Sequence, residues 1–432
     1  MDKVLRLRYG RVFCLLIAGA MLGSNGVDAA VERNKNINSD AVLISQSTQG
    51  NKALINKGQQ LLDQGDQLLK EEKINAAIEQ FQAALAFFQQ TRNRSGEGEA
   101  LKRLGNASSN ASNAIDYYQK SLTIFREFKN RREEGVLLSN IGNVYSDIRN
   151  YDQAIFYNQQ SLVIFREVKD RKAEAYVLYN LGRVYRLSND HEQVIIYHRQ
   201  SLEIFREIAD HEGESKVLPN LVNAYKALKQ YDQAIVYANE SIAAFRTIRD
   251  RKSEGKALAN LGDIYESLKQ YNQAIAYSQQ SLAVFREIKD REGEARQLMG
   301  LGLTYTKISQ PEQTISYYQQ SADIFYEIKD SNSEAFLLHI LLLRSIGDIY
   351  KSINQPKKAT EYYQRVESTL SKVEAQRREV AQAPSLEQQR AAVTRLLNEG
   401  IEKLEQGNYE LALRMFEQGL AISRTIKERA PE

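Results

Sequence analysis

Four asparagines recur at a fixed step of 40 residues, Asn140, Asn180, Asn220 and Asn260. A primary amide both donates and accepts hydrogen bonds, so a row of amides can hold the backbone of another polypeptide whatever its sequence. Helices packed side by side lie about 8–10 Å apart, and an extended peptide advances about 3.3 Å per residue. One rung would then meet roughly every third residue of such a ligand. The other reading is that duplication has copied one amide that simply bonds a neighbouring helix. Two more rows keep the step: Lys216, Lys256 and Arg296 one helical turn before the ladder position of their units, and Asn143, Arg183, Asn223 and Asp263 three residues after it. Elsewhere chemistry-bearing residues are sparse. His191, His198, His211 and His339 are scattered without helical metal spacing, with neither an HExxH motif nor a matched acid pair, and Cys14 is the only cysteine. The expectation is no catalytic residue, no metal and no cofactor.

The elements that carry these rows repeat with them. Tyr145, Tyr185, Tyr225, Tyr265 and Tyr305 share the step, as do Ser121 to Ser321 and Phe125 to Phe325. Within one unit Leu138, Ile141, Val144, Tyr145 and Ile148 fall on one face of a first helix, and Ala154, Ile155, Leu162, Phe165 and Val168 on one face of a second, with the turn around Asn150, Tyr151 and Asp152. Five prolines, no tryptophan and an abundance of Ala, Leu, Glu, Gln, Lys and Arg fit helices throughout. Such a hairpin buries too little apolar surface to offset the ordering of its own chain, so hairpins must stack on their neighbours.

The spacing Leu138-x2-Ile141-Gly142-x2-Tyr145 with Ala154 twelve residues after the glycine, repeated at Leu258, Leu261, Gly262, Tyr265 and Ala274, resembles the tetratricopeptide repeat, with Leu where Trp is usual. The period exceeds the usual 34 residues, and a charged extension such as Ile288-Lys289-Asp290-Arg291 replaces the closing proline. The longer unit resembles the repeats of kinesin light chains and of the Pins/LGN adaptors. Its wording, Gln-Gln-Ser-Leu and Phe-Arg-Glu-Ile-Lys-Asp-Arg, resembles arrays that precede CHAT-type protease domains in cyanobacterial proteins. The resemblance implies an all-α fold, a right-handed superhelix of antiparallel helix pairs, with a concave groove lined by the first helices. On that template the Asn row points into the groove and the two flanking rows border it. Lys216 with Asn220 and Asn223 resembles part of the carboxylate clamp by which some members hold peptide C-termini; neighbouring repeats do not supply its remaining basic rungs.

The expected organisation is a signal peptide over 1–29, a flexible leader over 30–50 and a repeat solenoid of about eight units over 51–371, regular from 134 to 331. A charged linker over 372–391 and a C-terminal unit over 392–426, marked by Gly400, Ala412 and Phe416, complete it. Lys3, Arg6, Arg8 and Arg11 precede a short apolar core, Val12 to Gly23, and small residues at Val27-Asp28-Ala29 suit cleavage. The protein is thus expected to be exported, periplasmic or secreted, without a stable membrane span; tethering by an uncleaved segment is the alternative. Loss of 1–29 lowers the formal charge from +3 to +1, since the segment holds four basic residues against Asp2 and Asp28. That balance does not suit nucleic acid.

Charge runs such as Arg166-Glu167-Val168-Lys169-Asp170-Arg171 read as solvated helix ends. Residues 335–343 are apolar at eight of nine places, so they need either cover from 372–395 or a docking or self-association role. The function that fits is a non-catalytic scaffold or adaptor for a protein or extended peptide. The narrower alternative is a stand-alone sensor or docking array for a separate protease-type partner, and a self-assembling structural protein is the third reading.

Overall fold

The computed structural model describes residues 50–328, 334–382 and 386–406, with single positions between 411 and 419. The signal segment, the leader up to 49, and Ala412 and Phe416 of the last expected unit lie outside the described residues. All described elements are helices. They are α1 (50–70), α2 (Ile74–Thr91), α3 (Arg94–Ala107), α4 (Ala111–Glu127), α5 (Arg131–Asp147), α6 (Tyr151–Glu167), α7 (Arg171–Leu187), α8 (His191–Glu207), α9 (His211–Ala227) and α10 (Tyr231–Thr247). Then come α11 (Arg251–Ser267), α12 (Tyr271–Glu287), α13 (Arg291–Lys307), α14 (Pro311–Glu327), α15 (Glu334–Ser352), α16 (Pro356–Gln382) and α17 (Leu386–Glu405). Odd-numbered helices open a hairpin and even-numbered ones close it. Contacts divide the chain at Glu240 and Ser241, within α10, into unit 1 and unit 2.

One joint explains the 40-residue period. In the regular repeats both helices have 17 residues and both connections have three, so the turn inside a hairpin is built like the turn between hairpins. At Ile148-Arg149-Asn150, Arg149 takes a left-handed φ of 62°, and the Asn150 N–H closes α5 by donating to the Tyr145 carbonyl at 2.8 Å. The same residue opens α6, because its side-chain oxygen accepts from the Gln153 N–H at 3.3 Å. Asp170 does both at the next joint, at 3.0 Å each. The turn therefore lies just before Tyr151 and Asp152, which belong to the first turn of α6.

Within a hairpin three contacts recur. Phe165 and Phe205 are buried between the helices, each worth about 1.5–3 kcal/mol. Ser161 and Ser201, also buried, donate to the carbonyls of Gly135 and Ala175 at 2.7 and 2.8 Å, and in unit 2 Ser281 and Ser321 do the same to Gly255 and Ala295. The repeated serine thus satisfies a first-helix carbonyl as well as keeping the helices close. Tyr145 stacks on Tyr157, Tyr185 on Tyr197, Tyr265 on Tyr277 and Tyr305 on Tyr317, centroids 5.3–5.5 Å apart.

The irregular stretches are helical too. α3 has 14 residues and α15 has 19. The expected linker is helix from 372 to 382 and again from Leu386, so charge-rich sequence here extends helices instead of loosening the chain. In α15 Phe336, Leu342, Leu343 and Ile346 are buried, while Leu337 and Leu341 remain 62% and 58% exposed. The cover expected from 372–395 does not close over that pair. No helix among the described residues is long and apolar enough to cross a membrane.

Candidate peptide-binding face

Three first helices of unit 1 carry the half-buried amides of the row, Asn140 on α5, Asn180 on α7 and Asn220 on α9. Their nitrogens are engaged within the protein. Asn140 donates to Asn106 of α3 at 3.5 Å and Asn180 to Ser139 of α5 at 3.3 Å, so two rungs tie a first helix to its predecessor. Asn220 turns back onto its own helix, donating to the Lys216 carbonyl at 2.9 Å. The structural reading of the row therefore accounts for its donors. The three amide oxygens accept no hydrogen bond among the described residues and form an acceptor row at one per hairpin.

The bordering residues behave differently from one another. Arg183 is half-buried, 3.6 Å from Asp147 of α5, and the Asn143 side-chain oxygen is buried without a partner. Asn223 is exposed. Lys216 reaches Glu212 at 2.8 Å and lies over the Tyr176 ring; Glu212 holds its ammonium above the usual lysine range. Lys216 is thus paired with Glu212, and the Asn220 amide N–H with its own helix.

In unit 2, Asn260 and Lys256 of α11 face Arg296 and Gln297 of α13 across a cleft of about 440 Å³. Arg296 is engaged by Glu292 at 2.9 Å and Glu334 at 3.2 Å, and Lys252 by Asp290 at 2.8 Å. Asp263 is exposed.

The charge runs hold more than solvated helix ends. Arg166 at the end of α6 and Arg171 at the start of α7 grip opposite oxygens of Glu174, at 2.8 and 2.6 Å, and Arg171 also bonds Glu207 at the end of α8. Glu174 is buried, and Arg171 links it to α8, so the cluster joins three helices. The cluster recurs around Glu134, Glu254 and Glu294. At the same place in α9, His211 replaces the second arginine, at 3.0 Å from Glu214, and Arg206 stands back at 3.8 Å. Sequence reasoning paired charges three and four residues apart, whereas these partners are three, eight and 36 apart. The signal was a glutamate four residues after each Asn or Asp that caps an opening helix.

His198 is fully buried on α8, both ring nitrogens without a partner, and burial with Arg186 nearby pushes its pKa down to about 3. His339 is buried also, its Nδ1 2.8 Å from the Ala322 carbonyl. Among the described residues no group of three His, Cys, Asp or Glu could hold a metal ion.

Joints, serine ties and tyrosine stacks repeated at a fixed step define a tandem helical-hairpin protein. The chain belongs to the tetratricopeptide-repeat family: the family's profile, Tetratricopeptide repeat, matches residues 106–167, 133–207, 174–247 and 253–327, more than half of the sequence. Among solved structures, the apo form of RapI shares the fold, with 14% identity over 86% of this chain and 99% of that one and a TM-score of 0.54. A putative kinesin light chain from Podosopora anserina with nearly identical TPR-like repeats is 16% identical over 45% of this chain and 94% of its own, TM-score 0.38. The apo form of the quorum sensor NprR from B. thuringiensis is 15% identical over 69% and 99%, TM-score 0.42. No curated protein matches the sequence.

Proposed function

We propose that the protein is a non-catalytic scaffold whose unit 1 holds an extended peptide, or an unfolded stretch of a partner protein, along its first helices. The observation that carries this reading is the acceptor row of Asn140, Asn180 and Asn220, whose oxygens accept nothing among the described residues. An extended chain offers N–H donors at intervals that meet one rung in about three residues. The unpartnered Asn143 oxygen adds an acceptor beside the first rung. In unit 2 the cleft of Lys256 and Asn260 is a separate subsite in this reading. The near balance of charge supports a polypeptide ligand over nucleic acid. On residues 1–29 we place the protein outside the cytoplasm, and on the wording of its repeats the narrower partner is a separate protease-type protein.

The test selects random linear peptides on the full chain from a display library, then measures the enriched peptides against a variant with Asn140, Asn180, Asn220 and Asn260 all changed to Ala. Affinity is expected to fall at least about tenfold with helical content unchanged. Equal binding by the variant would overturn the reading.

A further inference from the structure

The second helices of unit 1 carry a pattern that the peptide face does not use. Phe156 on α6, Ile196 on α8 and Val236 on α10 occupy one repeat position and are 50%, 45% and 50% exposed. The same position holds Asp116 in α4, Ala276 in α12 and Ser316 in α14, so the apolar row runs over three consecutive hairpins and stops. Two of its members are β-branched, which lowers helix propensity where no packing compensates. One helical turn earlier stands a parallel row of exposed carboxylates, Asp152, Glu192 and Asp232. Asn272 and Glu312 keep that position in unit 2 without the apolar row beside it. Service to the helix N-terminus therefore accounts for the acids alone, and not for the pairing of the two rows. Between α8 and α10 a cleft of about 570 Å³ opens beside the row, lined by Ile195, Ile196 and Tyr237 together with the charged Arg199, Glu203 and Arg206.

We propose that this outer face docks an amphipathic helix of a partner protein, lying across α6, α8 and α10. α6, α8 and α10 close consecutive hairpins with an opening helix between each pair, so a helix laid across them meets the three side chains in turn. A partner with large apolar residues along one face meets Phe156, Ile196 and Val236 in turn. The carboxylate row sets its second property. Lys or Arg along the flank that faces Asp152, Glu192 and Asp232 complements it, and an acidic flank is repelled. This site is independent of the amide row, which lies on the other helices of the same hairpins.

The test uses the full chain and a labelled synthetic helix of about 21 residues, with Leu along one face and Lys along one flank, together with its twin carrying Glu in place of Lys. The Lys peptide is expected to bind at least about tenfold more tightly than the Glu twin, and F156Q/I196Q/V236Q to lose at least about tenfold. D152N/E192Q/D232N is expected to weaken binding about threefold or more and to flatten its dependence on salt. All these positions are exposed, and unchanged helical content in each variant verifies that the scaffold stands. The four-alanine amide variant is expected to bind the Lys peptide normally. Equal binding of the two peptides, or full binding by F156Q/I196Q/V236Q, would sink the proposal. Sedimentation of the wild type as a dimer that this variant breaks would assign the row to a second copy instead. Flotation with phosphatidylcholine vesicles, lost in the variant, would assign it to a lipid surface.

Discussion

Hairpins α7–α8 and α9–α10 are consecutive in unit 1 and solve one packing problem in opposite ways. In the first, the helices cross over Gly182 and the imidazole of His198 fills the space; a Cβ on Gly182 would stand 2.7 Å from the ring. In the second, the glycine position is Val222 and the position of His198 is Ala238, both buried. Gly142 with Asn158, Gly262 with Ser278 and Gly302 with Tyr318 give further combinations. The summed volume at the crossing is held within limits while residue identity is free, as close packing requires. The cost differs, however. Asn158 donates to the Ala154 carbonyl at 2.8 Å, Ala238 has nothing to satisfy, and His198 has two ring nitrogens and no partner.

The strongest way to break this comparison is to mix the two solutions. Gly182→Val with His198 retained is expected to cost about 3 kcal/mol, from overpacking against a buried ring. Adding His198→Ala should recover most of that loss, and chemical denaturation of the two single variants and the double variant measures the coupling.

A second test uses the proton. Burial lowers the His198 pKa to about 3, below its ordinary value of 6.5. Above pH 6.5 neither the folded nor the unfolded chain protonates it. As pH falls from 6.5 toward 3 the unfolded chain takes up a proton that the folded chain refuses, so stability is lost on acidification. The loss from this residue is about 2 kcal/mol at pH 5 relative to pH 7.5. Denaturation at the two pH values, with His198→Asn as the reference, should show that difference, and equal pH dependence of both proteins would refute the assignment.

The smallest contrast lies at the joints of the same two hairpins. Glu174 is gripped by two arginines, Glu214 by His211 and a more distant Arg206. Glu174→Gln is expected to cost about 1.5 kcal/mol, and Glu214→Gln about 0.5 kcal/mol because its ion pairs are looser and more exposed. Urea midpoints of the two variants check the ratio.

The helical period was legible because every repeat spells the same faces, and Gly142 or Gly262 with its tyrosine marked the crossings. The partner in the crossing was less visible, since Asn158, His198, Ala238, Ser278 and Tyr318 share a position and no chemistry. The Asn row was found by its step, but its donors bond Asn106, Ser139 and Lys216, which lie in another helix or one turn away. Local charge pairing explained part of each Arg-Glu run and missed the tie between Glu174 and Arg166, which stand eight residues apart on successive helices. The outer apolar row went unnoticed for a related reason: Phe156, Ile196 and Val236 are all apolar but different, and read singly each passes for core.

The shared joint also has a consequence for how the gene could change. Because Asn150 and Asp170 end one helix and start the next in the same manner, an exchange between misaligned copies that adds or removes 40 residues leaves every joint intact. The crossings limit where such an exchange can fall. A break in the turn between hairpins keeps each pair together, but a break inside a hairpin could set Val222 against a residue as large as Tyr318. The array can therefore lengthen or shorten by whole hairpins, and its number of repeats is an inherited quantity open to selection.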